Sequence, residues 1–452
     1  MAGNGRALGG IAVRRTASRS LVLAVGVAVS TTALAGPSPA SAPSSAASMP
    51  AIIPILPDVA TTYETFRLQP MWFHNGKSTQ AVDQLTTILK RAPFDGFPEG
   101  PQLAAKIDQV VAGVATNPEL ASTADQMLSS VWVRYVKALR RTTPGMIYAY
   151  RALKPHPTAT DQIILTSASA PSLTAKLIAT SELNPVYAKL RDTAWAEAQA
   201  NGDPVPDPRL LANLDRARSI PARGRFALVD SADQKLTLFE NGESVDSMKV
   251  IVGTTELPTP LISSIIYYVT FNPYWHAPDH LVRKTIAPTV LRQGMKYLKS
   301  HGYHVLKDWT GDGGELDPTT VDWKGAAAGS VHLLVQQDPG PLNSMGNLKF
   351  PFANSEGIYL HDTPNKSLFA RDVRFLSNGC VRVEDAHRFG KWLLGRDPVA
   401  PTSEPETAVQ LPKGVPIILT YLTAKVVDGK IVYLPDVYGL DSKASTDVAS
   451  AN

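Results

Sequence analysis

The spacing of apolar residues changes partway along the chain from a helical period to a strand period. In the first half, apolar residues recur with a period of about 3.6, which is typical of amphipathic helices, and Ser78 is a possible cap for the first of them. Stripes of this kind usually form core contacts, so we predict an all-helical domain over residues 61–222. The segments that carry the pattern are residues 82–89, 103–114, 128–139, 172–180, 186–200 and 209–218.

From residue 225 onward, short β-rich runs replace the helical stripes. Asn241-Gly242 and Asp428-Gly429 are typical hairpin turns, and helical spacing returns only at about 281–299 and after Ala386. We therefore predict a mostly β domain over residues 223–440, and an α+β multidomain protein as a whole. The predicted strands are residues 226–230, 235–240, 247–252, 265–271, 331–336, 357–361, 417–422 and 430–434.

The two ends of the chain lack a core pattern. Arginines at positions 6, 14, 15 and 19 precede an uncharged stretch that ends at Ala35, which is typical of a secretory signal peptide over residues 1–35. An uncleaved anchor and twin-arginine export remain open. Residues 36–60 are expected to be a flexible linker and residues 441–452 a disordered tail. We expect the mature chain outside the cytoplasm, with no stable membrane span after signal cleavage.

Charge and length narrow the functional classes. The signal contains four of the 44 Lys and Arg residues and no acidic residue, so 40 basic side chains remain against 40 acidic ones. A balanced chain of this kind gives no indication of nucleic acid as a partner. Its length exceeds what one ordinary core accommodates, which implies two or more domains.

Cys380 is the only cysteine in 452 residues, so it has no partner within the chain for a disulfide. His361 follows the apolar run 358–360 and is expected at the tip of a strand. A cysteine nucleophile needs a base, because a thiol with a pKa of about 8.5 is only slightly ionised near neutral pH. If His361 lowers the pKa of Cys380, alkylation of the thiol is expected to persist below neutrality. Asp362 is a candidate to orient the imidazole, through either its backbone carbonyl or its carboxylate.

The residues around Cys380 suit acyl transfer. The backbone amides of Gly379 and Cys380 are candidate oxyanion donors, and Ser377 and Asn378 supply the nearby polar side chains. Arg382 is able to hold a substrate carboxylate through two hydrogen bonds. Each residue type alone is more often structural, and their joint occurrence favours a reactive site.

The motifs His361-Asp362-Thr363-Pro364 and Ser377-Asn378-Gly379-Cys380-Val381-Arg382 resemble the active-site signature of the L,D-transpeptidases, the YkuD-type catalytic domain. The resemblance covers about residues 225–440. Within the family, this pattern is similar to the large periplasmic members, the YcbB-like subgroup. The helical half resembles the scaffold domain of that subgroup, including residues 68–72. Further matching segments are residues 236–239, 250–253, Thr259-Pro260, 271–275 and 338–341.

The resemblance implies a cysteinyl thioester mechanism in the cell envelope, with no metal or organic cofactor. Cys380 would be the nucleophile and His361 the base, with Arg382, Tyr359 and Trp275 in the substrate site. The enzyme would cleave after the third residue of a peptidoglycan tetrapeptide stem, release D-alanine, and join the third residue to the diaminoacid side chain of a neighbouring stem. Such enzymes serve peptidoglycan biosynthesis and cell shape, and carbapenem-type inhibitors are expected to react. An L,D-carboxypeptidase or related hydrolase, and a non-catalytic cell-wall-binding scaffold, remain alternatives.

Several features differ from the family pattern or are specific to the subgroup. Most members have a second histidine where this chain has Asn378, and the peptidoglycan-binding module of large members is expected to be absent or reduced. Residues 281–343 resemble a capping insertion over the site. His276 and His280 lie four positions apart, but no third residue has suitable spacing, so we do not expect a zinc site.

Overall fold

The computed structural model describes residues 52–155, 158–310 and 312–441. The predicted signal peptide, most of the predicted linker and residues 442–452 lie outside these ranges. Among the described residues, no helix has both the length and the apolar character needed to cross a membrane.

Helices dominate the described chain up to residue 217. Capping residues mark their ends: Asn184 accepts the Tyr187 amide at the start of one helix, and Gly202 ends that helix in the left-handed conformation. In chain order the helices are α1 (Pro57–Phe66), α2 (Gln80–Arg91), α3 (Gly100–Thr116), α4 (Ala121–Leu139), α5 (Thr160–Ala168), α6 (Leu173–Glu182), α7 (Pro185–Asn201), α8 (Pro208–Ala217), α9 (Asp279–Leu281), α10 (Ala287–Gln293), α11 (Met295–His301), α12 (Trp323–Ala328) and α13 (Ala386–Leu394).

Strands dominate after residue 225, as the sequence pattern predicts. In chain order the strands are β1 (Phe73–His74), β2 (Lys77–Ser78), β3 (Ile147–Tyr148), β4 (Arg225–Asp230), β5 (Lys235–Glu240), β6 (Glu243–Gly253), β7 (Ile262–Phe271), β8 (Trp275–Ala277), β9 (Tyr303–Leu306), β10 (Leu334–Gln337), β11 (Leu348–Pro351), β12 (Tyr359–His361), β13 (Phe375–Ser377), β14 (Val381–Val383), β15 (Thr407–Thr420), β16 (Ala424–Val427) and β17 (Lys430–Tyr433).

The main sheet closes on itself. Its strands run in the order β11-β12-β14-β6-β5-β4-β15-β7-β3, and β11 also pairs with β7. β13 adds to the edge of β6 in parallel. β12 and β14 are parallel neighbours, with Leu360 opposite Val381 and His361 opposite Arg382. This pairing brings the two sequence motifs side by side.

Strand β4 shows how the helical and β halves share a core. Ala227 and Val229 face the interior of the closed sheet, whereas Phe226 and Leu228 belong to the helical core. Alternate side chains of a strand point to opposite faces, and because both faces of β4 are covered the strand reads as a continuous apolar run. Each fully buried side chain of this size contributes about 1.5–3 kcal/mol, so the two halves stabilise each other.

Two predicted boundaries are wrong. The predicted linker extends to residue 60, yet α1 begins at Pro57 and the side chains of Ile53 and Val59 are buried, because these apolar residues pack into the helical core. The predicted disordered tail begins at Asp441, yet this residue is buried and its carboxylate binds Arg209 and Arg216 of α8.

The capping insertion forms a small layer of its own, with a sheet of order β8-β10-β9 covered by α10, α11 and α12. It begins at Trp275, six positions before the predicted start. The predicted helix at 281–299 is interrupted by a π-helical turn (Val282–Ile286) and by Gly294, whose φ of 72° separates α10 from α11. Tyr303 and Trp323 are core residues, and Trp309 is exposed.

Candidate active site

A cleft of about 540 Å³ lies where the capping insertion faces the edge formed by β12, β13 and β14. It contains most of the candidate residues, since the parallel pairing of β12 with β14 puts both motifs at one place. Asp362 and Gly379 are outside its lining. The candidate residues that line it are Trp275, Tyr359, His361, Ser377, Asn378, Cys380 and Arg382.

His361 is buried and its ring is oriented by the backbone of the next residue. Its Nδ1 lies 2.5 Å from the carbonyl oxygen of Asp362, which accepts but cannot donate, so the proton is on Nδ1 and Nε2 carries the lone pair. The carboxylate of Asp362 is engaged elsewhere, with Lys366 Nζ at 2.6 Å and the Asn347 amide at 3.0 Å. Of the two orienting routes left open by the sequence, the structure uses the carbonyl.

The imidazole is neutral at physiological pH. Burial, together with the positive charge of Arg382, lowers the pKa of His361 to about 4. The hydrogen bond to the Asp362 carbonyl opposes this shift without cancelling it. A neutral ring with a free Nε2 lone pair is able to accept a proton.

Cys380 is half-buried and immediately precedes β14, one position before Val381, so in the parallel register its neighbour is Tyr359. His361, two residues further along β12, lies on the same face and one step diagonal to the thiol. The Sγ atom lies 3.8 Å from the carbonyl oxygen of Gly357.

Burial raises the pKa of the Cys380 thiol, and hydrogen bonds from Tyr359 and the charges of Lys349 and Arg382 offset only part of the rise. This direction is opposite to the one that would let alkylation persist below neutrality. Because the pKa of His361 is depressed, the resting pair is a thiol and a neutral imidazole, and desolvation of both groups is the cause.

The loop 377–380 is fixed by the Ser377 hydroxyl. Ser377 Oγ donates to the Cys380 carbonyl at 2.5 Å and accepts the Gly379 amide at 3.3 Å. The Gly379 amide is thus used within the loop, which leaves the Cys380 amide as the oxyanion candidate. Gly379 has a φ of 108°, and a Cβ there would lie 3.0 Å from Ile358 Cδ1, so the position requires glycine.

Arg382 projects into the same cleft and is half-buried. Burial lowers its pKa, and within the described ranges its guanidinium makes no hydrogen bond or ion pair. Asn378 is exposed at the rim, and Trp275 enters from the capping insertion, with its ring 6.3 Å from that of Tyr303. An unpaired, partly desolvated guanidinium next to a thiol suits an anionic ligand.

Sequence reasoning missed Lys349 and Met345. Lys349 of β11 pairs with His361, and its Nζ lies 4.8 Å from the centre of the Tyr359 ring. Met345 lines the cleft, and its backbone is one of the groups that oppose the lowering of the His361 pKa. Neither residue lies in a recognisable motif, so only the strand pairing reveals them.

The described residues contain no cluster of three or more His, Cys, Asp or Glu side chains arranged to hold a metal ion. His276 Nε2 is hydrogen-bonded to Gln336 at 2.9 Å, and burial lowers its pKa. His280 lines the active-site cleft.

Two family models match this chain. Residues 224–400 match the YkuD family, described as the L,D-transpeptidase catalytic domain, and residues 57–193 match the family described as the Scaffold domain. A curated relative, a putative L,D-transpeptidase of Haemophilus influenzae, is 34% identical over 240 residues, covering 52% of this chain and 48% of the relative. The chain thus spans about half the length of that relative.

Solved structures similar to this chain are also L,D-transpeptidases. One from Mycobacterium smegmatis is 12% identical and has a TM-score of 0.23, and the match covers 44% of this chain and 60% of the M. smegmatis chain. One from Xylanimonas cellulosilytica is 17% identical, covers 51% and 79%, and has a TM-score of 0.20. At these TM-scores the assignment rests on the family matches. Residues 57–193 and 224–400 are, respectively, a scaffold domain and an L,D-transpeptidase catalytic domain of the YkuD family.

Proposed function

We propose that this protein is a peptidoglycan L,D-transpeptidase that forms cross-links between the third residues of stem peptides. The observation that carries the proposal is the pairing of β12 with β14, which puts the thiol of Cys380 and the oriented imidazole of His361 in one cleft. The family matches support the reaction class.

In the first half-reaction, Nε2 of His361 takes the thiol proton as Sγ attacks the carbonyl carbon of the third stem residue. The negative charge that develops on the carbonyl oxygen is stabilised by the backbone amide of Cys380. Collapse of the tetrahedral intermediate breaks the peptide bond, and the imidazolium returns its proton to the leaving amine of D-alanine. The product is a thioester on Cys380.

In the second half-reaction, the side-chain amine of a diaminoacid on a neighbouring stem attacks the thioester carbonyl. His361 takes a proton from this amine, the C–S bond breaks, and the proton returns to Sγ. Arg382 binds a carboxylate of the donor stem, because its guanidinium lines the cleft and has no hydrogen-bond or ion-pair partner among the described residues. Trp275 and Tyr359 provide apolar contact, and Asn378 lies at the solvent-facing rim.

The resting protonation states of Cys380 and His361, a neutral thiol and a neutral imidazole, suit this sequence of steps. A neutral thiol and a neutral imidazole exchange one proton during attack, so neither member of this pair carries a charge in the buried cleft before substrate arrives. We place this chemistry in the cell envelope, where the substrate lies and where the N-terminal sequence pattern would direct the chain.

The deciding experiment incubates the protein with purified tetrapeptide-bearing muropeptides and resolves the products by mass spectrometry. Cross-linked dimers with release of D-alanine support transpeptidation, whereas tripeptides alone support the L,D-carboxypeptidase alternative. A carbapenem adduct on the wild-type protein, absent from Cys380→Ala, reports the nucleophile independently. If neither products nor adduct form on the folded protein, the non-catalytic scaffold is correct.

A further inference from the structure

Thr259 lies behind the catalytic loop, on the turn that connects β6 to β7. Its side chain is buried, and its hydroxyl reaches the carbonyl oxygen of Gly379 at 2.7 Å. The same hydroxyl accepts the amide of Gly253 at 2.9 Å. Because both Gly253 N–H and the Thr259 proton are then used, the hydroxyl has one orientation, and it donates to Gly379.

The carbonyl of Gly379 and the amide of Cys380 belong to one peptide group. A trans peptide is planar, with its C=O and N–H pointing in opposite directions, so fixing one fixes the other. Ser377 holds the next carbonyl, that of Cys380, at 2.5 Å. The peptide groups on both sides of the Cys380 Cα are therefore held by hydroxyls.

A second layer holds Thr259 itself. Tyr438 accepts the Thr259 amide at 3.4 Å and donates to the Gly253 carbonyl at 2.6 Å. Gly253 permits this approach, because a Cβ there would lie 2.1 Å from the carbonyl oxygen of Leu257 and 2.6 Å from the Thr259 amide. The turn 253–259 is thus closed tightly against the loop that carries Cys380.

Tyr438 belongs to the segment that joins the catalytic half to the scaffold. Its ring stacks on Tyr421 at 4.9 Å, and three residues later the buried carboxylate of Asp441 binds Arg209 and Arg216 of α8. The hydrogen-bonded path therefore runs from α8 through residues 438–441 to the peptide beside the nucleophile.

We infer that Thr259 is a positioning residue that aims the Cys380 amide at the developing oxyanion, and that Tyr438 holds Thr259 in place. This inference rests on the proposed function, since it requires acyl transfer at Cys380. Thr259 acts through the Gly379 carbonyl and does not contact substrate, so its loss is expected to slow the steps that form an oxyanion and to leave the thiol reactive.

The test compares two reactions of the same thiol in the full chain. Acylation by a carbapenem, followed by intact mass, forms an oxyanion, whereas alkylation by iodoacetamide displaces iodide from a saturated carbon and forms none. Thr259→Val keeps the shape of the side chain and removes the hydroxyl, and Thr259→Ser keeps the hydroxyl. We expect acylation of Thr259→Val to fall about 10- to 100-fold, below the loss typical of removing an oxyanion donor outright. Alkylation should stay within about threefold, and Thr259→Ser should recover acylation.

Three outcomes overturn the inference. The first is that folded Thr259→Val is acylated at the wild-type rate, and the second is that its acylation and alkylation rates fall equally. The third is that Thr259→Ser does not recover the acylation rate. If Thr259→Val does not fold, Tyr438→Phe decides, with a selective loss of acylation supporting the inference and unchanged acylation overturning it. A wild-type protein that carbapenems and muropeptides both fail to acylate would instead refute the proposed function, and the inference with it.

Discussion

The Nδ1 atom of His361 lies 2.5 Å from the backbone carbonyl oxygen of Asp362, its own neighbour in the chain. The orienting group of this site is therefore part of the main chain, and a side-chain substitution leaves it in place. A carbonyl fixes the tautomer as well as a carboxylate does, but it adds no negative charge beside the ring. Burial and the positive charge of Arg382 lower the pKa of His361 to about 4, and the carbonyl hydrogen bond and the more distant charge of the Asp362 carboxylate offset only part of this shift.

Asp362→Asn should retain most of its activity. The carboxylate binds the Asn347 amide and Lys366, whose side chain is about half-exposed. The side-chain oxygen of an asparagine is still able to accept the Asn347 amide. We expect kcat for D-alanine release to stay within about threefold of wild type, and stability to fall by less than about 1 kcal/mol. His361→Gln should lose about 10²- to 10⁴-fold in the same assay. Equal losses in the two variants would assign the orienting role to the carboxylate.

The pH dependence of the two thiol reactions should differ. Acylation needs neutral His361, so it should hold from neutrality down to about pH 5 and fall as pH drops through about 4. Alkylation by iodoacetamide needs thiolate, and because burial raises the pKa of Cys380, its rate should still be rising with pH well above neutrality. Stopped-flow acylation and timed alkylation over one buffer series measure both. An alkylation midpoint below pH 7 would indicate a preformed thiolate–imidazolium pair.

Arg382→Gln should weaken binding of the donor stem. In the part of the chain that the structure describes, its guanidinium lines the cleft without an ion-pair partner, and the loss of a charge-assisted pair typically reduces affinity by about 10- to 100-fold. We expect KM for the tetrapeptide to rise by that factor, while a donor amidated at its recognised carboxylate should bind both proteins equally. Arg371→Gln, at an exposed position outside the cleft, is the matched control. If the variant discriminates against the amidated donor as wild type does, Arg382 does not bind the carboxylate.

The parts of the site that lie in contiguous motifs were accessible from the sequence, and the parts that depend on strand pairing were not. His361 and Cys380 stand in short strings of distinctive residues, and the apolar run 358–360 predicted the strand that carries His361, whereas the short strands on either side of Cys380 were not predicted. Lys349 reaches the site only because β11 pairs with β12, and Thr259 only because its turn folds back on Gly379. Neither pairing has a local signal, since register is set by the whole sheet.

The direction of the thiol pKa could not be obtained from the sequence for a related reason. A neighbouring histidine suggests a lowered pKa, but desolvation is the largest contribution for Cys380, and burial is a property of the folded cleft. The misplaced end of the predicted linker has a simpler cause. The Ser- and Pro-rich composition ends at residue 50, and Ile53, which follows it, is buried in the helical core.

A prediction away from the cleft concerns Asp230, at the end of β4 between the two cores. Burial, aided by the nearby Asp233, raises the pKa of this carboxyl to about 7, although it accepts the amides of Leu422 at 2.9 Å and Ala232 at 3.1 Å. The unfolded carboxyl ionises near its ordinary pKa of 3.8, so the folded state holds an extra proton between about pH 4 and 7. Stability from this group is therefore present at low pH and is lost as pH rises through about 7.

Asp230→Asn removes the titration and keeps an oxygen that accepts both amides. Relative to wild type, the variant should therefore gain about 3–8 °C in Tm between pH 5 and pH 8. The reason is that the ionised carboxylate destabilises only the wild type at the higher pH. Thermal melts by circular dichroism at several pH values measure this difference. Asp428→Asn, in an exposed hairpin turn where φ is 48° and asparagine is tolerated, should show no such change. A difference for Asp230→Asn that is constant across the pH range would mean that the buried carboxyl does not titrate there.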